Sequence, residues 1–272
     1  MRRRAFFLGE VGRERFCLAT GPQGPPLGGV LFVHPFGEEL NKSRRMVSLA
    51  ARAFADRGWL VLQLDRQGCG DSAGDSGEAS WGRWRDDVSM GFDWLCRHCE
   101  GVPVVWSLRA GALLVSDWLE GIGKPVPLLF WQPVDCGARH LRSFWRLKAA
   151  ADMLEGQAAS HSVTRLRDAL AAGRSVEVAG YRVAPELAAG MEAARLSLST
   201  GYAAQVGVAE VNPGGREGLS THMAERVATW RQAGTTVVSA SLRGPRFWDA
   251  QEIEVAPELI GWSLDFLAGL RS

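Results

Sequence analysis

No apolar run approaches the ~20 residues that a membrane-spanning helix needs. No charge of either sign dominates: 31 Lys and Arg stand against 30 Asp and Glu, for a net charge of +1. A chain this close to neutral has no global field to gather nucleic acid or an anionic membrane, so neither is expected as a partner. The start carries a basic head, Arg2-Arg3-Arg4, but the run behind it, Ala5-Phe6-Phe7-Leu8, is too short for the core of a secretion signal. Cytoplasmic residence is expected. The five cysteines are odd in number and irregularly spaced, which suits reduced thiols rather than a disulfide framework. Gly68-Cys69-Gly70 lacks the full glycine spacing of a dinucleotide loop, and no cofactor is expected. Internal repeats and low-complexity tracts are missing too.

What remains is a chain of 272 residues, 46% hydrophobic, with 11 tryptophans. That is ample for one α/β core with an insertion. Phe6-Phe7-Leu8 and Arg15-Phe16-Cys17-Leu18 flank Gly9-Glu10-Val11-Gly12, an opening hairpin. Four short apolar runs follow: Val30 to His34, Trp59 to Asp65, Val102 to Trp106 and Val126 to Trp131. Amphipathic stretches separate them, from about Arg44 to Arg57, Trp81 to His98, and the elbow to about Glu120. Such alternation predicts a mostly parallel central sheet with helices on both faces.

The pattern breaks near Pro133 and resumes with a strand from Gln205 to Val211, a helix from Leu219 to Ala233 and a strand from Thr235 to Leu242. Pro257 then opens a closing helix. The chain therefore divides into a first core part (1–132), a mostly helical cap insertion (133–200) and a second core part (201–272). Cys96-Arg97-His98-Cys99 with Cys136 and His140 suggests a metal set. The topology puts Cys99 and Cys136 at opposite edges of the sheet, so no metal site is expected. Most tryptophans are expected in the core; Trp106 and Trp131, at strand ends, are expected to line a pocket.

Six motifs together resemble the α/β-hydrolase superfamily and, within it, the second type of exosortase A system-associated hydrolase. They are His34-Pro35-Phe36-Gly37-Glu38-Glu39 after the first buried strand and Asp65-Arg66-Gln67-Gly68-Cys69-Gly70-Asp71-Ser72 after the second. Trp106-Ser107-Leu108-Arg109-Ala110-Gly111, Phe130-Trp131-Gln132-Pro133, Val178-Ala179-Gly180-Tyr181 and Gly244-Pro245-Arg246-Phe247-Trp248 complete the set. The resemblance spans nearly the whole chain. It implies an α/β-hydrolase fold and a setting of exosortase sorting and exopolysaccharide production, with a protein partner from that system.

The resemblance also places the nucleophile elbow at Ser107 to Gly111, a small-x-nucleophile-x-small turn. Its central residue is Arg109, which stays protonated and cannot attack a carbonyl. Ser107 is one step out of frame, with Val105 and Arg109 where small residues are needed. The acid is expected after the strand ending at Val211, where Asn212-Pro213-Gly214-Gly215-Arg216-Glu217 holds no Asp. Glu210 and Glu217 are the carboxylates there. The histidine is expected after the last strand, yet none follows His222, which reads as a solvated helix residue.

Two functional classes follow. In the first, the old site binds an anionic small molecule, an acyl or sugar ligand or a partner. Arg109 would grip it with the amides of Phe36 and Ala110, and Glu39 and Trp131 would stand nearby. Alternatively Arg109 pairs internally with Glu38 or Glu39. In the second, an ester or thioester hydrolase or acyltransferase works by a non-standard arrangement drawing on His34, Glu39 or Asp65. Lys42, Arg44 and Arg45 read as solvated helix surface.

Overall fold

The computed structural model describes residues 1–154, 159–215 and 217–271; Arg216 lies outside them. Ten strands form: β1 (Arg2–Leu8), β2 (Arg15–Gly21), β3 (Gly28–Val33), β4 (Trp59–Leu64), β5 (Val104–Leu108), β6 (Leu128–Trp131), β7 (Val176–Val178), β8 (Tyr181–Val183), β9 (Val206–Asn212) and β10 (Val237–Arg243). Eight of them make one sheet in the order β1-β2-β4-β3-β5-β6-β9-β10. The β1–β2 and β2–β4 pairs are antiparallel and the rest are parallel.

Both faces of the sheet are covered, which is why β3, β5 and β6 are buried along their whole length. Helices α1 (Glu38–Asp56) and α8 (Pro257–Gly269) cover one face, and α2 (Trp81–His98), α3 (Gly111–Ile122) and α7 (Thr221–Gln232) cover the other. Trp106 and Trp131 belong to the α1–α8 layer. Neither is exposed, their rings meet edge-on at 4.6 Å, and Trp131 Nε1 donates to Ser263 Oγ at 2.8 Å. The expectation that they line a pocket is therefore corrected. Side chains alternate across a strand, and these two point into the sheet–helix layer rather than out over the strand ends.

The chain between β6 and β9 holds α4 (Gly137–Leu154), α5 (Ala159–Ala171), the β7–β8 hairpin and α6 (Pro185–Ala193). The hairpin turns at Ala179-Gly180, both at positive φ (50° and 80°), as a two-residue turn of this hand requires. It is tied to the core by Tyr181 Oη, which donates to Glu38 Oε2 at 2.6 Å, and by the Arg182–Asp75 ion pair at 3.0 Å.

After β3 the chain turns to β4 on one side, and β5 then lies on the other side of β3. In an open parallel sheet such a reversal leaves a crevice outside the carboxyl ends of the two central strands. His34-Pro35-Phe36 leaves β3 there, and Arg109 leaves β5. Helix α1 starts at Glu38, earlier than the Arg44 expected from periodicity, so Glu39 reaches the crevice from a helical first turn.

Gly111 closes the turn: a Cβ at this position would collide with the carbonyl oxygens of Val33 and His34. Gly111→Ala is expected to cost about 1–3 kcal/mol by forcing these elements apart. Gly121→Ala, on an exposed part of α3 with nothing near its Cβ, should gain roughly 0.5–1 kcal/mol. Denaturant midpoints of the two variants check this; equal effects would contradict the close approach at Gly111.

Candidate functional site

Arg109 sits at φ 54°, the left-handed region that a bulky residue adopts only under constraint. The constraint is visible on every side. Its amide donates to Trp131 O at 3.0 Å, and its carbonyl accepts from Ala112 N at 3.1 Å and Val134 N at 3.3 Å. Gly111 is pressed against β3 on the other flank.

The turn throws the Arg109 side chain over the strand ends. Nε donates to Glu39 Oε1 at 3.0 Å and Nη1 to the Gln132 carbonyl at 3.4 Å. The guanidinium lies 5.5 Å from the Trp248 ring centroid. The Arg109 and Glu39 side chains are each about one-fifth exposed, 20% and 19%. The internal pairing expected with Glu38 or Glu39 is therefore made with Glu39, while Glu38 is engaged by Tyr181. Arg109 Nη2 has no protein partner among the described residues. The amides of Phe36 and Ala110 likewise donate to no protein acceptor among them.

Two cavities of about 270 and 410 Å³ adjoin here and share Arg109, Gln132, Glu210 and Ser220 in their walls. The smaller is also lined by His140 and His222, the larger by Arg246 and Trp248. Glu210 accepts from both the amide and the hydroxyl of Ser220, the latter at 2.7 Å. Its carboxylate is thus committed to the start of α7. His222 is exposed, as expected, but borders the cleft. The loop after β10 contributes Trp248, 1% exposed, with its Nε1 unpartnered among the described residues.

Other expected residues fall elsewhere. His34 is 2% exposed, and both ring nitrogens are engaged, Nδ1 with Pro35 O and Nε2 with Arg66. Burial, with the Arg66 guanidinium beside it, holds its pKa well below the ordinary value. Asp65 organises its own turn: its carbonyl accepts from Ser72 Oγ and its Oδ2 from the Asp71 amide at 3.4 Å. Burial raises its pKa. With His34 it lines a separate cavity of about 200 Å³ against α1. The cleft over Arg109 therefore takes Glu39 but neither the His34 ring nor Asp65. Ser107 is fully buried, its hydroxyl unpartnered among the described residues, and lines neither cavity of the cleft. Trp131 lies on the far layer.

Sequence reasoning missed His140 as a site residue. It sits on α4, edge-on to Phe36 at 6.3 Å, and borders the cleft. Burial lowers its pKa, opposed by Glu39 and assisted by Arg109. Its only sequence signal was proximity to Cys136, which pointed to a metal instead.

Solved structures share this architecture across the whole chain. A ferulic acid complex of Est1E from Butyrivibrio proteoclasticus superposes with a TM-score of 0.63 at 12% identity, covering 98% of this chain and 99% of that one. A thermostable carboxyl esterase from Bacillus coagulans gives 0.62 at 14%, covering 99% of each. The thioesterase domain from the curacin biosynthetic pathway gives 0.52 at 12%, covering 100% of each. The fold is that of the α/β-hydrolases. The sequence matches no protein-family model and no curated relative, so likeness at these identities speaks for the α/β-hydrolase fold alone. No helix among the described residues is long and apolar enough to cross a membrane.

The histidines give a pH signature. His34 and His140 both have folded pKa values below the ordinary 6.5, so the unfolded chain takes up their protons first. Their contribution to stability is complete above pH 6.5 and is lost as pH falls below it. The slope approaches about 1.4 kcal/mol per pH unit for each. Urea midpoints at about pH 7.5 and 5.5 should show this loss, and it should be smaller in His140→Gln. A pH-independent midpoint would contradict the buried neutral state.

Proposed function

We propose that the cleft over Arg109 binds an anionic group and that the chain does not use a serine–histidine–acid triad. One observation carries the reading. The side chain at the elbow, on the strained backbone where a nucleophile is expected, is a guanidinium with a free donor edge. The amides of Phe36, in the loop after β3, and of Ala110, at the start of α3, donate to no protein acceptor among the described residues. The amino end of α3 favours negative charge at the same place. Glu39 holds one edge of Arg109, so the ligand meets a fixed fork rather than a mobile side chain.

The ligand class is a carboxylate or phosphate on an acyl or sugar body. The two cavities beside Arg109 leave room for that body, and Trp248 and Gln132 wall it. Residues 133–200 form the cap over this cleft, and residues 1–132 and 201–272 form the core beneath. The motif resemblance supports a cytoplasmic role in an exosortase and exopolysaccharide system, with a protein partner from that system. An active ester or thioester hydrolase or acyltransferase is the second reading, favoured by the esterases and thioesterase that share the fold. Of its proposed replacement groups, only Glu39 reaches the cleft, and it is already paired with Arg109.

Isothermal titration with acetate, glucuronate and phosphate is the test. Arg109→Ala should weaken binding by about tenfold or more, the value of a lost charge-assisted contact. Unchanged affinity in a folded Arg109→Ala would overturn the anion site.

A further inference from the structure

Arg66 is fully buried and faces no carboxylate at ion-pair distance among the described residues. Burial lowers its pKa to about 10, leaving it charged at neutral pH. Asp87 and Asp65 act on it only at longer range; a buried cation without a direct ion pair is costly unless its donors are satisfied, and here they are spent on one short loop. The Arg66 amide and Nε reach His34 Nε2 at 3.3 and 3.1 Å. Nη2 donates to His34 O at 2.9 Å and to Pro35 O at 3.0 Å. The guanidinium lies over Trp84, 4.0 Å from its ring centroid.

These contacts decide the histidine tautomer. With Nε2 accepting from Arg66, the ring proton sits on Nδ1, which donates to Pro35 O at 2.8 Å. Nη2 and Nδ1, 2.8 Å apart, are then two donors side by side on the same oxygen. Pro35 O thus receives hydrogen bonds from a buried cation and from the imidazole.

That oxygen belongs to the peptide unit whose nitrogen is the Phe36 amide. No peptide bond in the described chain is cis, and in a trans unit the carbonyl and N–H point in opposite directions. Fixing Pro35 O toward Arg66 aims the Phe36 N–H away from it. The Phe36 ring is held by Trp84 at 6.2 Å, Phe144 at 4.9 Å and His140 at 6.3 Å, and His140 borders the Arg109 cleft. Hydrogen bonds to a carbonyl also polarise the N–H of the same peptide.

We propose that Arg66 is a positioning residue of the anion site. From behind the loop it fixes and polarises the Pro35–Phe36 peptide so that the Phe36 N–H is a preorganised donor. This rests on the reading of the cleft as an anion site. Arg109 acts on the ligand directly, whereas Arg66 acts through one peptide bond.

The experiment uses the full chain labelled with ¹⁵N-phenylalanine, with the Phe36 resonance assigned by its loss in Phe36→Leu. Arg66→Lys keeps the charge but loses the fork; Arg66→Met loses both. In Arg66→Lys the Phe36 amide proton should move upfield, while the amides of distant Phe54 and Phe266 stay in place. Acetate affinity should fall about tenfold in Arg66→Lys and further in Arg66→Met. His34→Gln supplies the same readout should the Arg66 variants not fold, because it removes the imidazole donor from Pro35 O. An unmoved Phe36 resonance with unchanged acetate affinity overturns the proposal and leaves Arg66 a packing residue. A wild-type protein that binds no acetate or phosphate overturns the anion site instead, and the Phe36 resonance still reports on the Arg66 contact.

Discussion

Arg109 holds a left-handed backbone only because its surroundings leave it no other course. Its amide is drawn to β6, its carbonyl is shared by α3 and Val134, and Gly111 behind it is wedged against the carbonyls leaving β3. Such strain is of order 1–3 kcal/mol and persists where neighbours over-determine it. The reward is position. The turn lifts one side chain clear of the sheet at the switch between β3 and β5, where the crevice of an open parallel sheet lies.

The electrostatics of the crevice follow from the same geometry. Glu39 arrives on the first turn of α1 and takes one edge of the guanidinium. The free edge and the amino end of α3 then both offer positive potential where β5 ends. Of the acidic groups nearby, Glu210 accepts from Ser220 and Glu38 from Tyr181, while Glu39 Oε2 is buried with no partner among the described residues. Arg66 stands behind the Pro35–Phe36 peptide with no carboxylate at ion-pair distance among the described residues.

Much of the fold was legible because its signals are local. Short apolar runs between amphipathic stretches gave the parallel strands, and Pro257 opened α8. The elbow was legible from two small residues around Arg109. What failed depended on direction rather than identity. Trp131 lies at a strand end, yet strand alternation turns it into the α1–α8 layer. His34 and Asp65 stand near the elbow in topology, but their polar atoms are spent on their own loops. His140 was missed because no periodic signal places an inserted helix over a cleft.

The most direct measurement is turnover across a chain-length panel of esters and thioesters, comparing the wild-type protein with Arg109→Ala. An anion-binding cleft without a nucleophile should give no rate above the uncatalysed reaction in either protein. Wild-type turnover that Arg109→Ala abolishes would contradict it, and would make Arg109 part of a catalytic arrangement.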